Sequence, residues 1–199
     1  MKKIMCFFAV LAAPVLVSAA SPAAPESNDV STIISAKLGY DMPGKLNIPV
    51  FGGFKDVDVK SGITLGADLI RGRRYIGWGV GLDLLLQRTL DVSPNPAFGF
   101  LAVPLTLEFS NYQKYRSGSL APYLRLQAGP TIFMPSDKFR GSATTDGMRA
   151  CMGIGFGVRK KQGFVAELMS TADFARLKQG SVQQEYEYTT TRLSAGYSF

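Results

Sequence analysis

The chain has 199 residues, 46% of them hydrophobic and 19% charged, with a net charge of +7 and no histidine. That length suits one domain, and the lack of histidine excludes catalysis by Ser-His or Asp-His pairs. Of the two cysteines, Cys6 lies in a leading apolar run away from any cleavage point, so it marks no lipoprotein. Cys151 is then left without a disulfide partner and reads as a small buried thiol.

In chain order, Lys2 and Lys3 precede an apolar run from Ile4 to Val17 and a small-residue exit, Ser18-Ala19-Ala20. This is the pattern of a cleaved secretory signal peptide over residues 1–20, too short for a spanning helix. Val17 with Ala19, or Ser18 with Ala20, supplies the small pair before the cut. Losing Lys2 and Lys3 lowers the net charge from +7 to +5, and an exported chain does not meet nucleic acid. Residues 21–30 open with SPAAPESN and read as a flexible polar terminus. Residues 31–199 form the remaining domain. No later segment has the roughly 18 apolar residues of a transmembrane helix, so a spanning structure would have to be a closed barrel.

Alternation of period two recurs through that domain and predicts eight strands. The first, Ser31 to Asp41, sets Ile34, Ala36, Leu38 and Tyr40 against Ser35, Lys37 and Gly39. The second, Ser61 to Arg71, sets Ile63, Leu65, Ala67 and Leu69 against Thr64, Gly66 and Asp68. In the third, Ile76, Trp78, Val80, Leu82, Leu84 and Leu86 oppose Gly77, Gly79, Gly81, Asp83 and Gln87. The fourth, Phe98 to Phe109, carries Leu101, Val103, Leu105 and Leu107 opposite Ala102, Thr106 and Glu108. Leu120 to Phe133, Met148 to Val158, Phe164 to Phe174 and Tyr188 to Phe199 complete the set. Pro104 interrupts the fourth strand, and a proline there calls for a bulge or an unusual boundary. Segments of about ten residues match tilted membrane strands.

The chain stops on Leu193, Ala195, Tyr197 and Phe199 along one strand face. An aromatic terminus suits a lipid-facing strand ending at a membrane interface. Periodicity alone also permits a soluble periplasmic lipocalin-like barrel; the export signal and the terminus favour the membrane form. With both ends in the periplasm, the turns near 72–74, 110–119 and 160–163 fall on that side. Together with bordering Arg71 and Arg159 they carry Arg73, Arg74, Lys114, Arg116, Lys160 and Lys161 and no acid. Such turns suit anionic lipid headgroups. The opposite loops, near 43–60, 88–97, 134–147 and 175–187, mix both signs. The first of these is apolar, with Leu46, Ile48, Val50, Phe51 and Phe54, and either covers the barrel mouth or extends a hairpin toward a partner.

Val103-Pro104-Leu105-Thr106-Leu107, followed by Ala121-Pro122-Tyr123-Leu124 and Ala128-Gly129-Pro130, resembles the middle of the outer-membrane β-barrel domain family. In that family a "PL" strand precedes a "PY…G" strand, as in small barrels of the OmpX, OmpW and OmpA-barrel type. The terminal Leu193, Tyr197 and Phe199 likewise resemble the C-terminal signal of such barrels. The resemblance implies an all-β fold, a transmembrane antiparallel up-and-down barrel of eight strands in the cell outer membrane. It also implies delivery by the barrel assembly machinery, surroundings of outer-membrane lipid and lipopolysaccharide, and a monomer. It brings no functional residue and no cofactor.

Two glycine runs, Gly77-x-Gly79-x-Gly81 and Gly153-x-Gly155-x-Gly157, have strand period rather than phosphate-loop spacing. They predict a small-residue track where opposite barrel walls come close. The inward face is expected to carry Lys37, Arg125, Arg149 and Arg192 against Asp41, Asp68, Asp83, Glu108, Glu167 and Asp173. Eight strands enclose little beyond their own side chains, so these charges should pair. Asp68 beside Asp83 is a weaker candidate for a cation site. The sequence therefore predicts a non-enzymatic outer-membrane barrel that anchors and displays surface loops around a salt-bridged lumen. The alternatives are a narrow porin-like passage for small solutes and the soluble ligand-binding barrel.

Overall fold

The computed structural model describes residues 30–50, 52–93 and 95–199. The signal peptide expected over residues 1–20, residues 21–29, Phe51 and Pro94 lie outside these residues. The described chain is almost entirely strand, in twelve segments with two short helices. The strands are β1 (Ser31–Asp41), β2 (Gly44–Val50), β3 (Gly53–Val59), β4 (Gly62–Arg73), β5 (Ile76–Thr89), β6 (Ala97–Ala102) and β7 (Leu105–Ser110). They continue as β8 (Ala121–Pro135), β9 (Thr144–Thr145), β10 (Met148–Arg159), β11 (Gly163–Gln179) and β12 (Val182–Ser198). The helices are α1 (Tyr112–Arg116) and α2 (Asp137–Arg140).

Eight staves close a barrel in chain order, with β6 and β7 acting as one stave, and every pairing is antiparallel. Closure comes from β12 lying against β1, where Ser35 faces Ser198 and Asp41 faces Arg192. No edge of the barrel wall is left unpaired, which is how a sheet satisfies its backbone without water.

The staves form where alternation predicts them, because a closed sheet must send successive side chains to opposite faces. β1 alternates buried and exposed at every position. Its exposed side is apolar: Ile34, Leu38 and Tyr40 continue around the wall as Leu65, Leu69, Trp78, Leu82, Leu105 and Met152. Its buried side is polar, with Ser31, Ser35, Lys37 and Asp41. A polar interior beneath an apolar exterior is the reverse of a soluble barrel and matches a transmembrane one, which removes the lipocalin-like alternative.

Pro104 produces no bulge. Leu105 pairs with Val80 and Ala102 with Asp83, so the register against β5 is the same on both sides of the proline. The Pro104 carbonyl accepts from Gly81 N at 2.8 Å, and Val103 N donates to the Pro130 carbonyl at 2.9 Å. The missing proline N–H costs one ladder bond and nothing more of the pairing. The bulge lies instead in β5, between Leu85 and Arg88. It places Leu86 and Gln87 both outward and turns Arg88 in, so Gln87 does not line the lumen as its parity predicts.

The glycine runs also serve differently from expectation. A Cβ on Gly77 would lie 1.8 Å from the Tyr112 hydroxyl, and one on Gly157 would lie 2.6 Å from Tyr123 Cζ. One on Gly153 would meet Gln127 at 3.0 Å. These glycines make room for large side chains and backbone from adjacent segments, not for the opposite wall.

At the end bearing the termini the turns are short, except the one holding α1. That helix explains the long Ser110–Ser119 connection: it folds inward and buries Tyr112 and Tyr115 with Ile33, Ile70 and Ala121. At the other end β11 and β12 run for 17 residues each, well past the wall. β2 pairs with the projecting part of β12, Asn47 facing Glu187, and β3 pairs with β2. β9 adds to β11 at Leu177 and Lys178. The loops at 43–60 and 175–187 are thus largely one raised sheet.

Candidate functional site

The inward side chains form three layers. Nearest the termini is a neutral ionic cluster of Lys37, Arg125 and Arg159 with Asp68, Glu108 and Glu167. Lys37 Nζ lies 2.9 Å from both Asp68 and Glu167. Arg125 lies 2.9 Å from Asp68, 3.0 Å from Glu167 and 3.3 Å from Glu108. Arg159 pairs with Glu108 and stacks 4.0 Å above the Tyr123 ring, whose hydroxyl donates to Glu167 at 2.9 Å. Tyr112 closes this layer from α1, donating to Glu108 at 3.0 Å. Burial and the adjacent Glu108 carboxylate push its phenol above the ordinary value, so it remains the donor.

The middle layer holds Arg88 and Arg192 with Asp41, Asp83 and Asp173. Arg192 reaches Asp41 at 2.8 Å and Asp83 at 3.1 Å. Arg88 pairs with Asp41, to which Thr64 also donates. A Cβ on Gly62 would sit 2.7 Å from Arg88 Cγ, so only glycine leaves space for that guanidinium. Asp173 is 2% exposed and sits between Cys151 and Tyr188 in register, outside the ion pairs of the described residues. Buried charges in a low-dielectric interior persist only when paired, and every cation in these two layers is paired.

Above them is an aromatic lid. Phe98, Phe100, Phe133 and Tyr188 pack with centroids 5.1–6.0 Å apart. Leu46 and Val59, from β2 and β3, join this cluster fully buried. Ile48 and Val57 pack on its edge, while Val50 and Phe54 stay exposed. The first loop therefore covers the mouth with part of its apolar set and extends a hairpin with the rest.

The lumen residues expected from parity, Lys37, Asp68, Asp83, Glu108, Arg125, Glu167 and Arg192, all lie inside, each within an ion pair. Asp68 and Asp83 fall in different layers with different cations, so they do not make a shared cation site. Arg149 does not belong to the lumen network. It stands at the start of β10, beyond the ionic layers, and pairs with Asp146 at 2.8 Å with its side chain 30% exposed. Arg88 and Arg159 are the members that sequence reading missed. Arg159 continues the odd-numbered inward set of β10 and was legible by extending that period one step. Arg88 was hidden by the bulge. Leu193, Tyr197 and Phe199 are exposed on the outer face.

No protein-family model and no curated protein matches the sequence. Solved structures do match. Ail, the attachment invasion locus protein of Yersinia pestis, is 18% identical over 85% of this chain and 99% of its own, with a TM-score of 0.45. Neisserial surface protein A is 9% identical over 86% and 99%, at 0.47. The outer membrane protein AlkL, determined in lipid bilayers, is 16% identical over 90% and 94%, at 0.50. Taken with the closed antiparallel wall and its inverted polarity, the likeness to AlkL shows that the chain has the fold of the small eight-stranded outer-membrane β-barrels.

Proposed function

We propose that the protein is a sealed, non-enzymatic outer-membrane barrel whose task is to hold its raised sheet at the cell surface as an interaction platform. The observation that carries this reading is the double closure of the lumen. Tyr112 and Tyr115 close one end, two ionic layers fill the middle and the Phe98-Phe100-Phe133-Tyr188 lid closes the other. A wall so filled serves as an anchor, and the feature left to contact other molecules is the sheet of β2, β3, β9 and the outer halves of β11 and β12. The leading segment fits export, and Leu193, Tyr197 and Phe199 fit delivery to the barrel assembly machinery. The basic end then faces the periplasm. The porin-like alternative needs a continuous aqueous path through layers that are packed here.

Single-channel recording in planar bilayers tests the reading. The wild-type barrel is expected to insert without conductance steps. Replacing Phe98, Phe100 and Phe133 with Ala while truncating Tyr112 should still give none, because the two ionic layers continue to fill the middle. Steady conductance by the wild type, lost when lumen charges are neutralised, would establish the passage instead.

A further inference from the structure

Ion pairing on the outer face of the raised sheet leaves Glu187 out. Lys45 of β2 lies 3.5 Å from Asp56 of β3. Arg176 of β11 holds Glu185 of β12 and lies 3.5 Å from Asp146, which Arg149 also approaches at 2.8 Å. Glu187, one step further along the same face of β12, is exposed, and its carboxylate has no ion pair or hydrogen bond among the described residues. Asn47 stands opposite it in the register of β2 against β12, which sets the two Cβ atoms about 5 Å apart. The Asn47 side-chain oxygen is buried and receives no donor, an arrangement that costs stability until a donor arrives.

Both acceptors line a cavity of about 230 Å³ on that face, together with Phe54 and Phe174. Phe174 faces Glu187 from β11, and Phe54 lies two residues along β3 from Asp56, the register partner of Asn47. A carboxylate and an amide oxygen thus stand between aromatic side chains from the flanking strands. Phe54 is 67% exposed, free to give way as a donor approaches the covered oxygen. Unmet acceptors between rings call for a cation that donates from several points and lies flat on a ring. Guanidinium does both, with five N–H groups in one plane, whereas ammonium is a compact and strongly hydrated point charge. The volume is below the roughly 300–1,000 Å³ usual for small-molecule pockets, so it suits one side chain.

We propose that this cavity takes the side chain of an arginine presented by a partner protein at the cell surface. Its guanidinium rests on the Glu187 carboxylate and the Asn47 oxygen, and its aliphatic stem passes between Phe54 and Phe174. A quaternary ammonium would use the rings and leave both acceptors unmet. The proposal rests on the reading of the raised sheet as an interaction platform, and the experiment separates the two.

Nitrogen-15-labelled protein folded in lipid nanodiscs is titrated with the blocked tripeptide acetyl-Gly-Arg-Gly-amide and with its lysine and citrulline analogues, and amide shifts are followed by nuclear magnetic resonance. The arginine peptide should move the amides of Asn47, Phe54, Phe174 and Glu187 together. It should bind at least about threefold more tightly than the lysine peptide and at least about tenfold more tightly than the citrulline one, which is flat but neutral. Glu187→Gln should weaken it about tenfold, the scale of one charge-assisted hydrogen bond. Phe174→Leu should weaken it about threefold, the scale of one cation–π contact; a boiling-dependent gel shift confirms that each variant is folded. Equal binding of the three peptides overturns the proposal, as do shifts that spare those four residues or an affinity unchanged in Glu187→Gln. Tighter binding of free arginine than of the blocked peptide would also overturn it, since the site would then serve a small amino acid. Each of these results leaves the platform reading standing, whereas conductance steps from the same protein in planar bilayers would sink the platform and this site with it.

Discussion

Glu108 is where the sealed lumen can be tested most sharply. It is fully buried and accepts from Arg125 at 3.3 Å, from Tyr112 at 3.0 Å and from Arg159. In Glu108→Gln the charge disappears, and the new amide N–H₂ meets guanidinium donors. Arg125 keeps Asp68 and Glu167. Arg159 has no other ion pair among the described residues, and its Nε and Nη1 already lack hydrogen-bond partners. The loss thus falls on one buried cation left uncompensated, which costs about 3–5 kcal/mol. Adding Arg159→Met to the same chain removes that cation and should return stability to within about 1–2 kcal/mol of wild type. Urea unfolding from lipid vesicles, followed by Trp78 fluorescence, measures all three. If Glu108→Gln alone shifts stability by less than about 1 kcal/mol, the pair is behaving as a solvated one. The lumen would then be wet, and the sealed-anchor reading would be refuted.

Further consequences can be checked with the same assays. Asp173→Asn should leave stability unchanged or raise it, because Asp173 lies outside the ion pairs; a loss above about 2 kcal/mol, the scale of a buried charged hydrogen bond, would mean that it holds a cation in place. Tyr112→Ala should cost about 3–5 kcal/mol, the usual range for emptying a buried aromatic site, and lower the temperature of the gel shift. Gly196→Ala should weaken closure by about 1–3 kcal/mol or more, since its Cβ would fall 1.9 Å from the Ala36 carbonyl across the β1–β12 seam. Phe199→Ala should reduce the fraction of heat-modifiable protein reaching membranes in cells while leaving refolding into vesicles near normal; equal loss in both would show that Phe199 acts in packing rather than in delivery.

Within the described residues, the amino-acid order by itself determined the number of staves, their approximate limits and nearly every inward side chain. Side-chain direction along a strand is a local property with period two, so Lys37, Asp68, Glu108, Arg125 and Glu167 could be assigned to the lumen without knowing their neighbours. The same logic carried the apolar exterior through Leu38, Leu69 and Leu82, and it extends without effort to Arg159.

Tertiary structure decided what depends on the partner strand. A bulge is a mismatch between two strands, so the reversal that brings Arg88 inward and leaves Gln87 outside has no sign in β5 alone. Pro104 is tolerated because Gly81 and Val103 hold their bonds across it, a matter of pairing and not of the proline. Which acid meets which cation depends on register around the whole ring, so the separation of Asp68 from Asp83 and the unmatched Asp173 emerge only on closure. Arg149 left the lumen because the ionic layers end below its level, and height along a tilted wall is set by closure. The inward fold of α1 and the joining of Leu46 to the lid are likewise contacts between segments distant in sequence. Period two is written residue by residue, whereas depth, pairing and closure belong to the ring as a whole.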